Sequence, residues 1–357
     1  VAKSKDSVSL PRCKAPAFVP LYRTLFEHYR SGILTQKYQP GAQIDSINEI
    51  QDVHGVSRET AKLVLGMLAK EGLIVQKPGK GSFVADLGPR KPVWGMVLPC
   101  YTSQMESLLY HLGGEAERAG RTIEHYVDYN SWEEEIRLVG NMVSLRYEAV
   151  VVVPTFDESK TSVFYRRMAS GGTIVALLDH SMAGSYFPYA IQSHDLGVRR
   201  AVEYLLRRTN GAIAFVKNDI WIGRNMVQEL MEATFKSALE DERTPRTGHV
   251  VDHLRNLTEE FLSEREIGGI FCCDDMDAIR VLGRLREWGI GVPERIALVS
   301  YGNTDLARYA VPAITSVDCH AQAMVTTVSE IIRKGRDGQN VSSCQYVIQP
   351  ELVVRAT

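Results

Sequence analysis

Cysteine is scarce, six in 357 residues, and no CxxC pair occurs, so neither a zinc cage nor a disulfide framework is expected. Scattered thiols at 13, 100, 272, 273, 319 and 344 fit a reducing compartment. No apolar run reaches 18 residues; the longest, near 147–154, is strand-sized, which excludes a membrane-spanning helix. The opening Val1-Ala2-Lys3-Ser4-Lys5 has no apolar signal core, so the cytoplasm is the expected location, with no membrane partner. The 28 glycines and 14 prolines are near average and rule out collagen-like and low-complexity readings. There is no Gly-x-Ser-x-Gly elbow, His-Glu-x-x-His motif, P-loop or dinucleotide fingerprint. His249 and His253 lack further ligands at metal spacing, and the four lysines beyond residue 92 (Lys160, Lys217, Lys236, Lys334) lack a cofactor setting. An enzyme, a metal and a cofactor are therefore not expected.

What is present is a globular composition, 45% hydrophobic and 24% charged, long enough for two or three domains. Charge is uneven. Residues 1–92 hold 14 Lys+Arg against 8 Asp+Glu, whereas residues 93–357 hold 27 against 35. A basic head on an acidic body points to a polyanion partner for the head.

Residues 1–16 read as a loose tail broken by Pro11 and Pro16. Leu21, Leu25, Phe26, Tyr29 and Ile33 then recur at helical spacing. A short helix follows over 46–54, with Ile47, Ile50 and Val53 as its apolar stripe and Ser46 with Glu49 as a capping box. Gly55 breaks it. Ser57 caps the next helix, whose buried face is Ala61, Val64, Leu65 and Leu68, and Gly72 ends that one. Strands at 73–75 and 82–85 flank the basic turn Lys77-Pro78-Gly79-Lys80-Gly81. Helix, helix–turn–helix and hairpin over 17–85 make a winged helix–turn–helix plan. Residues 86–92, with Gly88-Pro89 and Pro92, read as a linker.

From 93 the pattern alternates strand and helix: strands at 93–98, 122–127, 149–153, 173–178, 212–216, 247–251, 269–273 and 297–300. Helices lie between them, one at 161–170, and a last helix spans 320–334 before strands at 346–350 and 352–355. Repeated βαβ units mean parallel sheets covered on both faces. The body, 93–355, is long for one doubly wound sheet. Two lobes are expected, about 93–194 with 318–340, and about 195–317 with 341–355.

Five separated pieces of the head resemble the GntR family of bacterial regulators: Pro20-Leu21-Tyr22, Pro40-Gly41, Val56-Ser57-Arg58-Glu59-Thr60-Ala61-Lys62, Glu71-Gly72-Leu73-Ile74 and Gly79-Lys80-Gly81-Ser82-Phe83-Val84. The body resembles the LacI-type effector domain, which is periplasmic-binding-protein-like. The matching pieces are 148–154, 176–179, Ser193-His194-Asp195, Phe271-Cys272-Cys273-Asp274-Asp275-Met276-Asp277-Ala278, Gly291-Val292-Pro293-Glu294, Ser300-Tyr301-Gly302-Asn303 and 312–317. Together they are similar to the arabinose repressor class. The resemblance implies an α/β chain with a winged helix–turn–helix head and a two-lobed body. It implies a homodimer, with about 93–130 as its interface, that binds double-stranded operator DNA. A small sugar such as L-arabinose would relieve repression. Two alternatives stay open: a different sugar or sugar phosphate, and a body that serves only dimerisation.

For DNA, the start of the second helix of the helix–turn–helix offers Ser57, Arg58, Glu59, Thr60 and Lys62 to the major groove. Arg58 suits bidentate donation to guanine, and Lys62 suits a phosphate. The preceding helix offers Ser46 and Asn48, the latter where the family usually has arginine. The wing offers Lys77, Lys80 and Gly81 to the minor groove. Each basic residue can also be read as part of a solvated face.

For the effector, candidates sit where strands end. Asp275 matches the family's sugar-binding aspartate, and can equally cap the following helix. Arg224 resembles the family's ring-pinning arginine, displaced by two positions. Trp221 can stack on a sugar or pack internally. Tyr101, Ser103, Glu106, Thr155, His180, Asp195 and Asn303 are the remaining candidates, each with a capping, turn or structural role as the alternative.

Overall fold

Capping chemistry places the helices of the head. Our structure, a computed structural model, describes residues 21–34, 37–86, 91–155, 173–182, 187–218, 226–240 and 246–357. The expected tail, the expected helix at 161–170, and the candidates Trp221 and Arg224 lie outside them. The chain divides into two compact units, the second beginning at Lys91.

In the first unit α1 (Leu21–Leu34) packs on α3 (Arg58–Lys70), with α2 (Ile47–His54) between them in sequence. The Ser46–Glu49 capping box is formed in both directions, and Gly55 ends α2 in the left-handed conformation at φ 66°. Leu25, Phe26, Tyr29, Ile33, Ile50, Val64, Leu65 and Leu68 form the core. Two expected core residues are exposed, Leu21 at 43% and Val53 at 56%. Leu21 is the first residue of its helix. In α2, only eight residues long, the buried stripe narrows to Ile50. Strands β1 (Ile74–Lys77) and β2 (Gly81–Val84) pair antiparallel from Ile74↔Val84 to Lys77↔Gly81.

The second unit runs β3 (Lys91–Leu98), α4 (Ser103–Arg118), β4 (Thr122–Val127), α5 (Trp132–Ser144), β5 (Tyr147–Val152), β6 (Ile174–Asp179) and β7 (Tyr189–Gln192). It continues α6 (His194–Arg208), β8 (Ala212–Val216), α7 (Met226–Glu240), β9 (Gly248–Val251), α8 (Glu259–Glu264), β10 (Ile267–Cys272) and α9 (Asp275–Glu287). Then come β11 (Ala297–Tyr301), α10 (Asp305–Tyr309), β12 (Thr315–Asp318), α11 (Ala321–Arg336), β13 (Gln345–Ile348) and β14 (Glu351–Val353).

The strands make two six-stranded sheets, ordered β13-β7-β6-β5-β3-β4 and β14-β12-β11-β10-β8-β9. Every pairing in them is parallel except β12 with β14. β5, β6, β8 and β10 are buried at every position, as strands covered on both faces must be. The chain passes between the lobes at Gln192–His194, near Cys319, and around Pro350.

One strand differs from expectation. The sequence places residues 341–355 in the second lobe, but β13 joins the first sheet, Gln345 opposite Tyr189. β7 offers β13 an open hydrogen-bonding edge, and the crossing waits for Pro350, which has no amide to give a ladder. Among the described residues no helix is long and apolar enough to cross a membrane.

Candidate DNA-reading face and effector cleft

α3 turns its N-terminal residues to solvent because its apolar ones lie opposite. Ala61, Val64, Leu65 and Leu68 are buried, while Arg58, Glu59 and Lys62 are exposed. Ser57 Oγ accepts the Thr60 amide at 3.2 Å and lies 2.9 Å from Thr60 Oγ1, so both hydroxyls are engaged in the cap. Ser46 is likewise engaged: its Oγ accepts the Glu49 amide at 3.3 Å and its amide donates to Glu49 at 2.8 Å. Asn48 is exposed on α2. Leu63, 48% exposed, shares the outer face of α3. A search for polar readers passes over it, and the signal would have been an apolar residue out of step with the buried stripe.

The wing turn closes through the Lys80 amide on the Lys77 carbonyl at 3.0 Å. Lys77 Nζ lies 4.9 Å over the Phe83 ring, while Lys80 is exposed and Gly81 holds φ +109°. Behind these surfaces Tyr29 donates to Asp45 at 2.7 Å and sits 3.2 Å from His54 Nε2, tying α1 to both ends of α2. Burial, then the Asp45 hydrogen bond, push the Tyr29 phenol far up.

The body holds two cavities of note. An open groove of about 1370 Å³ runs past Ser103, Glu106, Tyr110, Asn303, Tyr309 and His320. A smaller cavity of about 50 Å³ lies at the carboxyl ends of β3, β6, β8, β10 and β11, walled by Gln104 and Asp179 from one lobe and Asn218, Gln228 and Asp274 from the other. Volume favours the groove. The convergence of buried polar groups from both lobes favours the inner cavity, and we weigh that more heavily because specific ligands are oriented by such groups.

These groups are linked. Gln104 and Gln192 donate to Asp179 Oδ1 at 2.6 and 2.5 Å, and Tyr301 donates to Gln192 at 2.7 Å across the lobes. The His194 and Tyr301 rings stack with centroids 6.1 Å apart. Ser103 donates to Asp274 at 2.9 Å, again lobe to lobe. Burial raises the Asp274 carboxyl to about 6, against the lowering by the Met276 amide and Ser103. Burial opposes ionisation of Asp179 too, but the His180 hydrogen bond, neighbouring imidazoles and Gln192 pull its pKa below the usual value. Burial lowers the His194 pKa and keeps its imidazole neutral.

Several expected ligands have other duties. Asp275 is fully buried and its carboxylate is saturated, accepting from Ser300, from Ser316 at 2.8 Å, and from the Thr304 amide and hydroxyl at 2.6 and 2.8 Å. It is not the cap either: Asp274 caps α9 through the Met276 amide at 2.7 Å. Asp195 is exposed and joins Arg199 and Thr234, a tie between α6 and α7 outside the cleft. Asn303 lines the outer groove and binds Asp318 and Arg355. Thr155 is buried, with its amide on Glu135. His180 bridges the Pro154 carbonyl at 2.9 Å and Asp179 at 3.3 Å. Tyr101 is 49% exposed and packs edge-on to His125. Ser103 and Glu106 line the outer groove, Ser103 also reaching Asp274. Part of the inner wall is thus built from neighbours of the expected residues, Gln104 beside Ser103, Asp179 beside His180, His194 beside Asp195 and Asp274 beside Asp275, while Asn218 and Gln228 adjoin none of them. Asp179, His194 and Asp274 lie in pieces that carry the family resemblance, whereas Gln104 lies in none of them. What a linear reading lacks is the direction of each side chain where a strand turns into a helix.

Residues 21–84 match the model of bacterial regulatory proteins of the gntR family, and residues 198–357 that of the periplasmic binding protein-like domain. The chain is 23% identical over 372 residues to the arabinose metabolism transcriptional repressor of Halalkalibacterium halodurans, covering 94% of this chain and 95% of that protein. A periplasmic binding protein/LacI transcriptional regulator from Alkaliphilus metalliredigens, solved with D-xylulofuranose, is similar in fold at TM-score 0.63 and 16% identity, over 75% of this chain and 99% of that one. A dimeric lac repressor is similar at TM-score 0.64 and 18% identity, over 74% and 98%. A gntR-type head and a periplasmic-binding-protein-like body joined in that order make this chain a DNA-binding transcriptional regulator of the GntR/LacI type, and its full-length relatives are transcriptional repressors rather than enzymes.

Proposed function

We propose that the protein is a cytoplasmic homodimeric repressor whose grip on operator DNA is released by a neutral monosaccharide such as L-arabinose. The observation that carries the sensing half is the inner cavity, whose hydrogen-bonding walls belong to different lobes. A polyol held by Gln104 and Asp179 on one side and by Asn218, Gln228 and Asp274 on the other would set the angle between lobes. Ligand pockets usually span about 300–1,000 Å³, so the lobes must part to admit one. The effector shifts the equilibrium only by its differential affinity for the two lobe arrangements. The arabinose-linked name of the full-length relative supports the choice of sugar.

On DNA, Arg58 reads guanine through two hydrogen bonds, worth about 1–3 kcal/mol of discrimination, and Leu63 meets a thymine methyl. Lys62 and Asn48 hold the backbone, and Lys77, Lys80 and Gly81 bring the wing to the minor groove. Ser46, Ser57, Thr60 and Glu59 shape the helix starts that present them. Dimerisation through the body pairs two heads for a pseudo-palindrome.

A second reading, a body that only dimerises, is favoured by the small inner cavity and its mutually satisfied groups. One experiment separates the two. Fluorescence anisotropy on a palindromic duplex selected from a random pool is read with and without L-arabinose, a hexose and a pentose phosphate, alongside thermal shift. Release and a higher melting temperature with the pentose support sensing. No shift with any sugar leaves the dimerisation reading. Arg58→Ala should abolish specific binding with unfolding unchanged; intact specific binding would remove Arg58 from the interface.

A further inference from the structure

The wing hairpin has a third partner besides its own two strands. The segment between α1 and α2 runs beside β2. The Gly41 amide donates to Val84 at 2.9 Å, the Val84 amide to Ala42 at 2.9 Å, and the Ile44 amide to Ser82 at 2.9 Å. Gln43 pairs with Phe83 in an antiparallel bridge at the centre of this contact. From there the Gln43 side chain extends to the turn, where Nε2 donates to the Lys80 carbonyl at 3.3 Å. The same Nε2 stands 2.6 Å from where a Cβ on Gly81 would lie, so it fills the space that glycine leaves open.

We propose that Gln43 is a positioning residue that holds the wing turn, and with it Lys80, in its DNA-facing geometry. The inference rests on the proposed contact between Lys80 and DNA. The turn spans few residues and is otherwise closed by the Lys80–Lys77 hydrogen bond within the hairpin itself. Lys77 is drawn over Phe83. A turn with two glycines at positive φ, Gly79 and Gly81, has other conformations within reach. One added hydrogen bond from a neighbouring strand restricts it, and pre-ordering a contact loop strengthens binding without touching the ligand.

The test is a double-mutant cycle on the full chain, using the selected palindromic duplex as probe, with affinity read over a salt series and unfolding followed in parallel. Gln43→Ala should weaken binding roughly 3- to 10-fold, the span of one neutral hydrogen bond. The slope of log affinity against log salt should fall by about one, as it does when a lysine–phosphate contact is lost. In a Lys80→Ala background the same change should cost nothing further. Gln43→Met, similar in length but without a donor, should behave like alanine. Additive losses would mean that Gln43 touches DNA itself and would overturn the proposal. Full affinity in Gln43→Met or Gln43→Ala, or a matching drop in melting temperature, would overturn it too. A silent Lys80→Ala would instead remove the wing contact on which the inference rests.

Discussion

Asp275 offers two oxygens to donors on Ser300, Ser316 and Thr304, and none of its surface meets solvent. Asp275→Ala would leave buried hydroxyls and an amide without their acceptor, and should lower the stability of the body by about 3 kcal/mol, read by urea unfolding. Loss of a sugar response in that variant would then follow from unfolding. An unchanged denaturation midpoint would contradict this role. Asp128 is a second buried acid. Its Oδ2 has no hydrogen-bond partner among the described residues, and burial followed by the Glu135 charge raises it from 3.8 to about 8. The folded state therefore holds a proton that the unfolded chain releases near pH 4. The stability this contributes is complete below that pH and is lost as pH rises through about 8. Asp128→Asn should flatten this decline and add about 1–3 kcal/mol at pH 8, checked by melting temperature across the range. A variant with the wild-type slope would place the titration elsewhere.

At the scale of elements, α3 depends on its cap as much as on its buried stripe. Ser57→Ala should cost about 1 kcal/mol and weaken DNA binding with it, since Arg58 sits in the turn being frayed. Ser57→Asp keeps the cap and adds a negative charge facing DNA, so affinity should fall while the melting temperature holds. Equal melting temperatures for serine and alanine would show the cap to be idle. The head was readable because such signals are local: Ser46 with Glu49, Ser57, Gly55 and Gly72 mark starts and stops within a few residues. Buried strands such as β5 and β8 are readable from the apolar runs at 149–153 and 212–216. β7 was missed, because Tyr-Ala-Ile-Gln is four residues long with alternating burial and acquires its identity from β6 and β13 on either side.

For the molecule as a whole, the body leaves large apolar side chains exposed, tyrosines among them. Tyr110 is 79% exposed, Tyr309 72% and Val311 85%, with both tyrosines on the outer groove. Exposed apolar groups gathered at a groove mark an association surface, so this groove, beside the expected 93–130 interface, is the face on which the proposed homodimer contact is tested. Tyr110→Asp with Tyr309→Asp should halve the mass seen by light scattering. Operator affinity should fall steeply, because one head alone gains only half the contacts. A dimer that survives both changes would move the contact to another face.

Residue order by itself determined the winged head, the alternation of strands and helices, and the charge contrast between head and body, because periodicity, caps and net charge are properties of neighbours along the chain. Tertiary structure alone decided which polar groups face one another. Ser103 and Asp274 stand 171 positions apart and meet across the two lobes. Asp274 and Asp275 are adjacent acids, yet one lines the cleft and the other is locked in the second lobe. The physical reason is that the task of a buried carboxylate is set by the donors that other elements bring to it, and those donors are arranged by packing.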